Sequence, residues 1–253
     1  RRKEMLEGKR PSECNYCWNV EDNSSSFSDR VFKSTEPWSI NDFDKIKDSY
    51  WRDDFNPRYV EVSFGNTCNF ACAYCGPQYS SKWVEEIEKH GGYPTEHRFN
   101  SIDDIKARDQ MPYKQTEYNP YIEAFWKWWP NLFPDLHTFR ITGGEPLLLK
   151  DTFKVLEYIQ ENYKQNSNIS LAINTNLGIP DKLLSKFIEI AKDLCENNKV
   201  RELIIFTSVE ATDAQAEYAR FGLKYEKFWS NIDRVLTELP KVTVNIMATY
   251  NAL

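Results

Sequence analysis

From residue 136 onward the chain alternates strand-like and helix-like stretches joined by short polar or glycine-bearing segments. Runs rich in β-branched residues at Thr138 to Thr142, Ile169 to Asn174, Glu202 to Val209 and Val242 to Thr249 read as strands. Between them, apolar residues recur at helical spacing. Thr152 to Tyr163 turns Phe153, Leu156 and Ile159 to one side, and Asp181 to Glu196 does the same with Leu183, Leu184, Phe187, Ile188, Ala191 and Leu194. Tyr225 to Leu239 repeats it with Phe228, Trp229, Ile232, Val235 and Leu236, and a short helix is predicted over 213–220. Upstream, residues 58–64 add a further strand, and Ser80 to Lys89 a helix with Trp83, Val84 and Ile87 on one face. Strands that alternate with helices run parallel, with the helices outside. The expected fold is therefore α/β, a partial (β/α) barrel, with functional groups gathered at the carboxyl ends of its strands.

Each strand end carries polar chemistry. The first leads into Cys68-Asn69-Phe70-Ala71-Cys72-Ala73-Tyr74-Cys75, a Cys-x3-Cys-x2-Cys array. Three thiolates so closely spaced can hold three irons of a four-iron cluster and leave the fourth open, whereas a structural zinc would want a fourth ligand nearby. The second ends in Gly143-Gly144-Glu145-Pro146, where glycines let backbone approach a ligand and offer carbonyls to an ammonium. The third ends in Asn174-Thr175-Asn176 and the fourth in Ser208-Val209-Glu210, groups that suit hydroxyl recognition and equally suit turns and caps. On the last strand Asn245, Met247 and Thr249 alternate toward the barrel interior, Met247 as core. Cys195, on an apolar helix face, reads as a buried structural thiol, and His90, His97 and His137 have no ligand spacing.

The six cysteines of this 253-residue chain fall mostly in two clusters, which read as metal ligands in a reducing, cytoplasmic setting and not as a disulfide framework. No apolar run is long enough to span a membrane. A net charge of −6 argues against a broad nucleic-acid surface. The expected division is an N-terminal segment over 1–57 and a barrel over 58–253. In the first, Cys14 and Cys17 stand at the spacing of a metal knuckle but cannot close a site alone, and 22–57 reads as a linker with one or two short helices. Within the barrel, 90–135 is an insertion that forms a lid or substrate wall, or only adds packing. It contains a buried helix, Ile122 to Trp129, ended by Pro130. The absence of an initial Met, and the stop soon after a strand, lead us to expect a piece of a longer protein.

The cysteine array, with Tyr74 just before its last member and Gly143-Gly144-Glu145-Pro146 a strand later, resembles the signature of the radical S-adenosylmethionine (radical SAM) superfamily. The resemblance implies a (β/α)6 TIM-like barrel whose sixth strand lies past Leu253. It also implies a [4Fe-4S] cluster on Cys68, Cys72 and Cys75. S-adenosyl-L-methionine would be held by Tyr74, Gly143, Gly144, Glu145, Pro146, Asn174, Ser208 and Glu210, with Arg220 aimed at its carboxylate. Met5, Leu6, Gly8, Pro11, Cys14, Cys17, Glu21, Ser28 and Arg30 are similar to the segment that joins a twitch/SPASM module to such a barrel. That implies an auxiliary iron–sulfur cluster on Cys14 and Cys17, completed by ligands upstream. The activity implied is reductive cleavage of S-adenosylmethionine to a 5′-deoxyadenosyl radical, which abstracts hydrogen from a peptide or small-molecule substrate. A flavodoxin or ferredoxin would supply the electron, and no catalytic residue is assigned beyond the cluster. The competing class is a non-catalytic zinc- or cluster-binding interaction module, which leaves Gly143 to Pro146 unexplained.

Overall fold

The structure is a computed structural model that describes residues 1–92, 94 and 101–250. The chain divides into two compact units, Arg1–Arg58 and Tyr59–Leu253.

The smaller unit carries four helices, α1 (Arg2–Leu6), α2 (Asn15–Asn23), α3 (Asp29–Ser34) and α4 (Pro37–Asp48). Polar contacts order it more than a core does. Ser28 caps α3, accepting from the Val31 amide, and donates to Glu21. Arg30 grips the same carboxylate with two nitrogens, at 3.1 and 2.7 Å. Arg30 also lies over the Trp18 ring, whose Nε1–H donates to the Pro11 carbonyl. Glu21, Ser28, Arg30 and Pro11 thus form one structural knot.

In the larger unit the strands are β1 (Tyr59–Ser63), β2 (Ala71–Cys72), β3 (Thr138–Thr142), β4 (Ser170–Asn174), β5 (Glu202–Ser208), β6 (Arg220–Phe221) and β7 (Thr243–Met247). The helices are α5 (Ser81–His90), α6 (Ile102–Ala107), α7 (Pro120–Leu132), α8 (Lys150–Asn162), α9 (Asp181–Glu196), α10 (Asp213–Ala219) and α11 (Tyr225–Glu238). Among the described residues, five strands form one parallel sheet in the order β1-β3-β4-β5-β7. This is the partial barrel that the alternating pattern requires.

The two faces of the sheet differ chemically. On one face Phe139, Ile141, Leu171, Ile173, Leu203 and Ile205 are buried, and they share a core with Leu156 and Ile159 of α8, Phe187 and Leu194 of α9, and Phe228 and Val235 of α11. Registered residues of parallel strands point the same way, so Glu61 of β1 stands beside Arg140 of β3, Asn174 of β4 beside Phe206 of β5, and Phe206 beside Asn245 of β7. That second face is polar and lies less deeply buried.

Four expectations need correction. Leu236, expected inside with the apolar face of α11, is exposed. The helix over 213–220 stops at Ala219, because Arg220 takes extended backbone and pairs with Cys72 in a two-stranded antiparallel ladder. Pro130 does not end its helix. α7 runs on to Leu132, and the burial of Trp129, Leu132 and Phe133 outweighs the one backbone hydrogen bond that proline removes. Met247 is not core. It is exposed on the polar face, where its sulfur stands 3.8 Å from Arg140 and 3.9 Å from Asn174. Cys195 is buried, as its helix face predicts, whereas His97 lies outside the described residues.

Candidate functional site

The loop after β1 holds the three cysteines, and it is tied down on every side. Ser81 at the start of α5 accepts from the Cys68 amide through its Oγ, at 3.1 Å. Ser80 donates to the Phe70 carbonyl at 2.7 Å, and Trp83 Nε1 donates to the Cys72 carbonyl at 2.8 Å. Across the barrel mouth, the Ala73 amide donates to the Ala219 carbonyl at 2.8 Å, extending the β2–β6 ladder.

The segment after β3 packs directly on this loop. The Gly144 amide donates to the Gly65 carbonyl at 3.1 Å, and the Glu145 amide to that of Thr67 at 2.8 Å. A Cβ on Gly144 would fall 2.5 Å from the Asn66 carbonyl oxygen and 2.6 Å from that of Thr67. Gly143, at φ +134°, would bring one within 2.6 Å of the Gly65 carbonyl oxygen. Here the two glycines permit one stretch of backbone to lie against another.

Glu145 is fully buried. Its carboxylate accepts from Thr175 Oγ1 at 2.7 Å, the Asn176 amide at 2.6 Å and the Leu147 amide at 3.0 Å. Burial pushes its pKa up to about 7 despite these donors. It joins the end of β3 to the end of β4, and Pro146 opens the short turn that follows.

At the end of β5, Glu210 accepts from Arg220 Nε at 2.8 Å, from Arg220 Nη2 at 2.5 Å and from the Tyr74 hydroxyl at 2.8 Å. Burial works to raise the Glu210 pKa, but the Arg220 fork and the Tyr74 hydroxyl hold it below the usual carboxylate range. The remaining Arg220 nitrogen, Nη1, lies 3.7 Å from the Cys72 sulfur. The structure therefore brings Tyr74, Glu210, Arg220 and Cys72 together. Asn174 and Ser208 stand elsewhere on the rim. Asn174 accepts from Arg140 Nε at 2.9 Å, and Ser208 is in register with Met247.

Asn176 is a site residue that alternation along the strand does not reveal. The turn after β4 carries its side-chain amide to 2.9 Å from Asn69 Oδ1 and 3.9 Å from the Cys68 sulfur. Its place in the polar triplet Asn174-Thr175-Asn176 is the signal that could have found it.

None of the three loop thiols is in a disulfide, and all are partly or fully buried. Burial pushes Cys68 up to about 11 and raises Cys72 and Cys75, with Arg220 opposing the rise at Cys72. A metal held by such thiols would displace their protons, so its binding would be favoured at higher pH. Among the described residues, no three His, Cys, Asp or Glu side chains converge as ligands of a single ion would. A cubane places its thiolates on separate corners, and three thiols from one loop, with amide and guanidinium donors at two of the sulfurs, fit that arrangement. Cys14 ends a 3-10 turn and Cys17 lies in α2, both half-buried.

The model of the radical SAM superfamily matches residues 62–251. The GTP 3′,8-cyclase of Pectobacterium atrosepticum is 26% identical over 200 residues, which cover 77% of this chain and 48% of that protein. The GTP 3′,8-cyclase of Aliarcobacter butzleri is 30% identical over 135 residues, 53% of this chain and 31% of that protein. The chain thus spans less than half the length of these curated relatives. Among solved structures, native anSMEcpe with bound AdoMet aligns with a TM-score of 0.47 and 18% identity, over 75% of this chain and 43% of that one.

Proposed function

The chain belongs to the radical SAM superfamily, and on that premise we propose that it is the barrel of an enzyme that cleaves S-adenosylmethionine at a [4Fe-4S] cluster and takes hydrogen from a peptide or a small molecule. The observation that carries this reading is the cysteine loop packed, backbone on backbone, against Gly143 to Glu145. Cys68, Cys72 and Cys75 are the cluster ligands in this reading. When bound, the cluster and S-adenosylmethionine together supply one electron and a 5′-deoxyadenosyl radical. The protein's part is to position, to orient and to exclude water.

In this reading Gly143, Gly144 and Pro146 would form a wall beside a cluster held by the three cysteines, and Glu145 ties that segment to the end of β4. In this reading Tyr74 and Glu210, joined by a hydrogen bond, and Asn174 and Ser208, at the ends of β4 and β5, would contact S-adenosylmethionine. The polar face of the sheet, with Glu61, Arg140, Asn174 and Asn245, suits a substrate rich in hydrogen-bonding groups. The similarity to GTP cyclases, enzymes named for a small-molecule substrate, supports the small-molecule arm. Cys14 and Cys17 are proposed ligands of an auxiliary cluster in a twitch/SPASM-like segment, and the electron would come from a carrier such as flavodoxin or ferredoxin in the cytoplasm. No described helix is long and apolar enough to cross a membrane.

The test uses full-length protein, anaerobically reconstituted with iron and sulfide. After dithionite reduction and addition of S-adenosylmethionine, 5′-deoxyadenosine is followed by chromatography. Wild type is expected to form it and Cys72→Ala to form none. Equal product from both, or a protein that retains zinc and takes up no iron, overturns the reading.

A further inference from the structure

The pairing of β2 with β6 sets Arg220 directly opposite Cys72. Registered residues of an antiparallel ladder project to the same side, so the guanidinium and the thiol are neighbours by construction. Arg220 is 6% exposed, and the fork of its Nε and Nη2 is taken by Glu210. Glu210 is itself fixed by the Tyr74 hydroxyl at 2.8 Å and the Thr249 amide at 3.3 Å. A guanidinium held in this way cannot swing out to meet a ligand without giving up a buried, bidentate ion pair. What it still offers is Nη1, and Nη1 points at the Cys72 sulfur from 3.7 Å. Tyr74 adds to the clamp, its ring centre 5.4 Å from the guanidinium carbon.

We propose that Arg220, held by Glu210 and Tyr74, is a positioning residue for the cluster that donates a charged hydrogen bond to the Cys72 thiolate and so sets the reduction potential of the cluster. The inference rests on the reading of Cys72 as a cluster ligand. Its physical basis is charge. Adding an electron to a cluster makes its sulfurs more negative, and a cationic N–H donor at one sulfur stabilises the reduced form over the oxidised one. In a largely buried setting that preference is weakly screened. The bidentate grip of Glu210 determines where the donor stands, a geometry that a lysine would not reproduce.

The experiment is a redox titration of the reconstituted chain, monitored by electron paramagnetic resonance of the reduced cluster, without S-adenosylmethionine. Three variants are compared with wild type: Arg220→Met, Arg220→Gln and Arg234→Met. Arg220→Met removes both donor and charge. Arg220→Gln keeps an amide for Glu210 but is too short to reach Cys72 as well. Arg234→Met removes the same charge from α11, where Arg234 pairs with Glu238.

Both Arg220 variants are expected to lower the potential, making the cluster at least tenfold harder to reduce at a fixed applied potential, equivalent to about 59 mV for one electron. Arg234→Met is expected to leave it unchanged. A role confined to folding would change iron content or thermal stability without moving the potential of the clusters that do load. If Arg220→Met fails to hold iron, Arg220→Gln carries the test. A loaded Arg220 variant with the wild-type potential overturns the inference and leaves the proposed function standing. An equal shift in Arg234→Met also overturns it, because net charge would then be the cause. Wild type that takes up no iron overturns both.

Discussion

Glu145 shows how a motif residue can be legible in sequence while its role is not. Its place after two glycines at a strand end marks it as part of the site. That its carboxylate would be fully buried and shared among Thr175, Asn176 and Leu147 depends on the position of the next strand, which no local pattern specifies. Arg220 is a parallel case. The resemblance aims it at the carboxylate of S-adenosylmethionine, but its partners in the fold, Glu210 and Cys72, are set by a two-residue ladder too short for any periodicity to show. The burial of Glu145 has a measurable consequence. Its folded pKa of about 7 lies above the ordinary carboxylate value of 4.5, so below about pH 4.5 the proton is bound in both states and the group costs nothing. Between about pH 4.5 and 7 the unfolded chain ionises this group while the folded state keeps its proton, so stability falls across that interval and levels off above it. Urea denaturation from pH 4.5 to 8 should show wild type losing stability relative to Glu145→Gln across that window, on the order of 3 kcal/mol in full. A constant difference between the two proteins would show that the three donors hold the group ionised throughout.

Among the elements, the regular ones were the most readable. α9 spans Asp181–Glu196 as its apolar spacing predicts, and β3 spans Thr138–Thr142. Long amphipathic segments announce themselves because tertiary burial and local period agree. The failures fall where tertiary contact overrides local chemistry, as at Pro130, which burial carries through, and at Arg220, which pairing pulls out of a helix. The contact of the turn after β3 with the cysteine loop is the element-level feature that matters most for the site. Backbone carbonyls cannot move aside as a side chain can. Gly144→Ala should therefore displace the loop, lower the melting temperature and reduce iron bound per chain, at a cost of about 1–3 kcal/mol. Gly76→Ala is the contrast. Its Cβ would meet only the flexible end of Gln78, at 2.7 Å from Oε1, so iron content should stay near that of wild type. Iron analysis and thermal melts of both variants check this, and equal loss in the two would show that crowding is not the cause.

At the scale of the molecule, the two units differ in what holds them. The larger one buries a continuous apolar core from Phe64 to Val242, whereas in the smaller one Trp18 is the buried hydrophobic side chain and ion pairs carry the rest. Exposed ion pairs contribute little, and units with little core open easily. Hydrogen exchange should therefore find amides of residues 1–58 exchanging well ahead of those in β3, β4 and β5. Protection of α2 equal to that of β4 would contradict this. The parallel strands and their polar ends were legible in the chain's alternation. The different cohesion of the two units was not, because it depends on which side chains meet.

The short ladder that joins Cys72 to Arg220 spans 148 residues of chain. On a ribosome, the cysteines emerge long before their partner strand. At roughly 5–20 residues per second, on the order of ten seconds pass before Arg220 is synthesised. Through that interval the nascent cysteine loop has neither its ladder nor its guanidinium, and its thiols are open to oxidation or to the wrong metal. Cluster loading that relies on this ladder therefore follows the synthesis of Arg220 and not that of the cysteines.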